Sequence, residues 1–166
     1  MEKIRSLRAA IEAAIPDLAR NPDRLVIFVN QGQIASASIT SPSFEYRYEG
    51  EILLTDYSDH VDKAVVATLL WARLNEPDIF TNYHQGKPGL SFEAEIIDEK
   101  KIDLVIRLPL TERVIVRELE SGEVTIEHIG EPPPPDPFGP APGNLQVVFG
   151  QYDENPVEDL TNDPVA

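Results

Sequence analysis

The stretch SFEYRYEGEILLTDY, residues 43–57, alternates so regularly that it reads as one long strand. Phe44, Tyr46, Tyr48, Gly50, Ile52 and Leu54 fall on one side and Glu45, Arg47, Glu49 and Glu51 on the other, because successive side chains of a strand point to opposite faces. The chain therefore contains a long two-faced ribbon, with one row suited to a core and one to water or a partner.

The surrounding segments supply the cover. Ile4, Leu7, Ile11, Ala14 and Ile15 recur at helical spacing, and Pro16 stops or kinks that helix, so the first helix is expected from about Glu2 to Ile15. After the turn at Asn21, Pro22 and Asp23, RLVIFVN reads as a strand. Gln31 and Gly32 read as a hairpin turn into QIASASIT, making three strands in succession with the ribbon. The period then changes in SDHVDKAVVATLLWARLN. Ser58 or Asp59 is the expected cap, Asp62 lies in the first turn and Arg73 near the end, as the helix dipole favours. Nearly every residue from Ala64 to Trp71 is apolar, which predicts a helix covered on two sides, by the sheet and by something else. The segment NEPDIFTNYHQGKPG reads as a loop with room for one short helical turn. LSFEAEII, IDLVIRLPLTERVIVREL and VTIEHIG then read as a three-stranded meander, with Pro109 marking an edge, bulge or bend. The predicted class is α+β, with a mostly antiparallel sheet or pair of sheets and two main helices.

Composition narrows the function. The 166-residue chain has no cysteine, hence no disulfide, thiol nucleophile or thiolate metal site. Its N-terminus is amphipathic rather than signal-like, and Ala64 to Ala72 is too short to span a bilayer, so a soluble protein without membrane contact is expected. Fourteen basic and 29 acidic residues give a net charge of -15, opposite to the basic footprint of a protein that grips a phosphate backbone. Sequence-specific nucleic-acid binding is not expected. Residues 131–166 hold seven carboxylates and no Lys or Arg. With the run EPPPPDPFGPAPG, this divides the chain into a domain over residues 1–130 and a Pro-rich acidic arm over 131–166.

No catalytic motif emerges. Asp56, Asp59, His60 and Asp62 form the one tempting cluster, but they lack the spacing of a calcium loop, and helix capping explains them at less cost. His84 reads as a loop residue and His128, beside Glu127, as a strand residue with a cross-strand partner. No metal, cofactor or catalytic residue is assigned. Arg47, Arg107, Arg113 and Arg117 alternate with Glu45, Glu49, Glu93, Glu112 and Glu118, which are read as displayed charges. They form either an ordinary solvated face with cross-strand ion pairs or an interface that selects its partner by charge.

ARNPDRLVIFVNQG, SFEYRYEGEILLTDY and LPLTERVIVREL, continuing through VTIEHIGEPP, together resemble the tail completion protein R (GpR) family of temperate contractile-tailed bacteriophages, over most of residues 1–135. The resemblance implies a non-enzymatic virion part that finishes the tail at its head-proximal end. Such a part looks like a tail terminator: a ring, hexameric by analogy, that stops tube growth and offers a surface for the neck or head. It also implies partners in the tail tube, the sheath and a neck or head-joining protein. Assembly is expected in the host cytoplasm, followed by residence in a phage tail or a tailocin particle. The alternatives are a neck or head-joining adapter that acts after tube growth, and an unrecognised enzyme built on the Asp56 to Asp62 cluster. Candidate subunit contacts are Val65, Leu69 and Trp71 on the apolar helix, Arg47, Arg113 and Arg117 on the strands, and Leu145, Val147 and Phe149 in the arm. The arm is expected to dock on an adjacent protomer through Val147 and Phe149, against the simpler reading of a loose tail.

Overall fold

Two periods, one helical and one alternating, set the order of elements. The computed structural model describes residues 1–36, 38–81 and 89–132. It opens with helix α1 (Glu2–Ala14), which ends where Pro16 cannot donate an amide, and Pro16 instead starts the short helix α2 (Pro16–Arg20). A 3-10 turn at Pro22–Arg24 leads into β1 (Leu25–Ala35). The ribbon follows as β2 (Phe44–Tyr57), then α3 (Val61–Asn75) and the single turn α4 (Asp78–Thr81). Three further strands are β3 (Ser91–Ile96), β4 (Ile102–Glu118) and β5 (Val124–Ile129).

All pairings are antiparallel, and β1, β2, β4 and β3 lie in that order across one sheet, with β5 also on β4. The fold is α+β, with α1 and α3 as the two main helices. The buried positions Tyr48, Ile52, Leu54, Leu104, Ile106, Leu108 and Leu110 alternate along β2 and β4 and share one core with Leu7, Ile11, Ala64, Ala67 and Trp71 of the helices. The helices thus cover one face of the sheet. Trp71 ties them together, its indole N–H donating to Ser6 Oγ at 3.0 Å.

Three expectations need correction. Gln31 and Gly32 do not reverse the chain: β1 runs on to Ala35 with an irregularity between Asn30 and Gln33, where Gln31 takes a φ of 49°. A glycine within a strand pattern marks a bulge as readily as a turn, and the reversal falls at residues 36–43. The cap of α3 is His60, whose Nδ1 accepts the Asp62 amide at 3.2 Å, while Asp59 accepts the His60 amide at 2.7 Å and pairs with Lys63 at 2.6 Å. The last three strands are not a simple meander. β3 pairs with Ile102 to Arg107 and β5 with Arg113 to Glu118, on the same edge of β4 and at opposite ends, leaving Leu108 to Glu112 between them.

Pro109 sits in that gap. Thr111 donates its amide to Glu76 Oε2 at 3.0 Å, away from β2. The register with β2 is unbroken between Pro109 and Thr111, so the Pro109 nitrogen lies on the same unpaired edge. A residue without an N–H costs no ladder bond there.

Candidate interaction surface

The sheet face away from the helices carries the charges in register. Glu45 accepts from Arg47 at 2.6 Å and, across strands, from Arg113 at 3.3 Å. Arg107 donates to Glu51 at 2.6 Å on one neighbouring strand and to Glu93 at 2.8 Å on the other. Arg117 lies 3.6 Å from Glu127. Cross-strand ion pairing is therefore realised, while Arg47, Arg113 and Arg117 keep more than half of their side-chain surface exposed, at 61%, 68% and 66%. Pairs so exposed add little stability, which leaves them available to a partner.

The helix side of the sheet is apolar well beyond the helices. Tyr46 pairs with Ile34, Val116 with Ile126 and Glu118 with Val124, so this row continues past α1 into β5. Ile34, Val124 and Ile126 are 70%, 56% and 68% exposed. On the β4 edge that β5 also occupies, across the sheet from Ile34, Phe92 and Ile96 of β3 are 67% and 78% exposed beside Ile106 and Ile102. Both flanks leave large apolar side chains in water.

Of the contacts expected on α3, Val65 and Leu69 are half-buried, and Val66 and Leu74 are the more exposed apolar residues of that helix. Trp71 is only 4% exposed and belongs to the core, because it falls on the face with Ala64, Ala67 and Thr68 that meets α1. Leu145, Val147 and Phe149, like His84, lie outside the described residues.

One further correction concerns Glu112. It is buried at 4% rather than displayed, since strand alternation places it in the inward row with Leu110 and Val114. Glu112 holds the start of α1, accepting from the Glu2 amide at 2.9 Å, the Lys3 amide at 3.2 Å and the Tyr48 hydroxyl, with His128 Nδ1 at 3.4 Å. Burial opposes its charge, but the Tyr48 hydroxyl, the two amides and the terminal ammonium outweigh that and hold its carboxyl below the ordinary range. Beside it, the buried Lys3 ammonium bonds Glu76 at 2.7 Å and Glu131 at 3.3 Å, and Glu76 also accepts both donors of Thr111. These bonds fasten α1, the end of α3 and the root of the residues after β5 to one point of β4. They are anchors, and each is satisfied within the chain. Among the described residues no group of three His, Asp or Glu side chains is placed to hold a metal ion.

A family model for the P2 phage tail completion protein R (GpR) matches residues 1–132. The chain belongs to that family. The tail completion protein R of Escherichia phage P2 is 43% identical over 137 residues, which cover 82% of this chain and 88% of the relative. No solved structure matches. The match spans every described element of this GpR-family chain, so the open sheet face, the apolar flanks and the Glu112 anchor all lie within the shared region. GpR is a structural tail protein, not an enzyme. The polar atoms of Asp59 and His60 form the start of α3. No described helix is long and apolar enough to cross a membrane.

Proposed function

We propose that this GpR-family protein closes the head-proximal end of a contractile tail as a ring of identical subunits, stopping tube growth and presenting a surface to the neck or head. What supports the ring is the presence of two unlike apolar flanks on one protomer, at Ile34 on the β1 side and at Phe92, Ile96, Val124 and Ile126 on the side of β3 and β5. Unlike surfaces that meet give heterologous contacts, which close into a ring when the rotation allows. A rigid sheet holds such a contact in register, and the charged outer face, including Arg47, Arg113 and Arg117, supplies the complementarity that selects the tube, the sheath or the neck. Six copies would match the terminators the sequence resembles. Residues 1–130 form the ring, and the arm from 131 reaches a neighbouring subunit through Leu145, Val147 and Phe149. Assembly takes place in the host cytoplasm, and the protein then stays in the tail of a phage or tailocin. Native mass measurement and negative-stain microscopy of the purified protein test the ring. A closed oligomer, or rings on tube ends, is expected. A strict monomer that never adds to tubes at high concentration contradicts it.

A further inference from the structure

The two outermost strands of the sheet have matching chemistry. β1 is an 11-residue edge strand, LVIFVNQGQIA, with no charge and no proline. Exposed edges are normally blunted by such residues because their free amides and carbonyls recruit other strands, and the irregularity at Asn30 to Gln33 is the one such device in β1. β3, at the opposite edge, alternates Phe92, Ala94 and Ile96 on the helix side with Glu93 and Glu95 on the other. No described residue pairs with the outer edge of either strand.

Direction and side-chain rows both fit a second copy of the chain. Three successive antiparallel pairings, β1 to β2, β2 to β4 and β4 to β3, make β3 run opposite to β1. Copies related by rotation about an axis along the strands would therefore continue the alternation across their boundary. On the outer face, β1 itself presents only the uncharged Val26, Phe28 and Asn30, so Glu93 and Glu95 of β3 would meet no carboxylate of that strand. On the helix side, Phe92 and Ala94 would extend the row of Ile27 and Leu25, with which β4 and β2 place them level.

We propose that β1 of one copy pairs antiparallel with β3 of the next, so that the sheet runs from subunit to subunit around the ring. The proposal rests on the ring reading above and adds the surfaces that make it.

Because the chain has no cysteine, single thiols report the contact directly. Phe28→Cys in β1 and Glu95→Cys in β3, both exposed positions on the outer face, are incorporated separately and together into assembled tails and treated with a short bismaleimide. Tails containing both single variants are expected to give covalent dimers, tails with either one alone none, and the double variant a ladder ending at the full ring. Dimers from a single variant alone would show like edges meeting and overturn the proposal. Rings seen by microscopy without any mixed product would also overturn it, by placing another partner on these edges while leaving the ring intact. Absence of rings from the tails would remove the ring reading itself, and the edge pairing with it.

Discussion

At the scale of single residues, Gly50 and Glu112 decide how α1 sits on the sheet. A Cβ on Gly50 would lie 2.9 Å from Leu110 Cδ1 and 3.4 Å from Ile4 Cδ1. Alanine is otherwise the better strand residue, but Leu110 is 1% exposed and has nowhere to swing, so overpacking wins. Gly50→Ala is expected to cost about 1–3 kcal/mol in urea unfolding, and an unchanged midpoint would contradict the close approach. Glu112 should give stability a pH dependence. Its folded pKa is depressed, so its contribution is complete above the unfolded carboxyl value of about 4.3 and is lost as pH falls through the lower folded value. Glu112→Gln should lose about 2 kcal/mol at neutral pH and show a shallower stability slope below pH ~4.3. Parallel slopes for the two proteins would rule Glu112 out as the anchor. Its role was legible only as an anomaly, a carboxylate in the inward parity of an apolar strand. Its partners Tyr48, Glu2 and Lys3 come from elsewhere in the chain, and no local pattern announces them.

At the scale of elements, α3 separates two kinds of apolar residue that look alike in sequence. Trp71→Ala should cost about 3–5 kcal/mol because it empties the contact with α1. Val66→Lys, on the opposite side and 38% exposed, should change protomer stability by no more than about 0.5 kcal/mol while weakening any oligomer that covers it. Thermal unfolding and native mass measured on both variants check this, and a large stability loss in Val66→Lys would place that residue in the core. The helices and the alternation of β2 and β4 could be read directly, since burial imposes its period on the sequence. The bulge at Gln31, the His60 cap and the shared edge of β3 and β5 could not. Each depends on a backbone choice or a long-range pairing that the same residues permit but do not dictate.

At the scale of the whole molecule, the open sheet face and two apolar flanks describe a protomer with surface left over for assembly, as membership in the GpR family leads one to expect. The proposed contact of the arm with a neighbouring subunit would bear on both the oligomer and the finished tail. Truncation after Pro135 should therefore weaken the oligomer and impair tail completion. Full thermal stability, the same mass and normal tails would show the arm to be dispensable. The central claim, that this protein ends tube growth, is tested most directly by measuring tail lengths in electron micrographs of particles assembled without it. Overlong tubes of variable length are predicted, shortened to a uniform value when the protein is restored. Tails of normal length that fail to join heads would contradict the claim and make the protein a neck adapter instead.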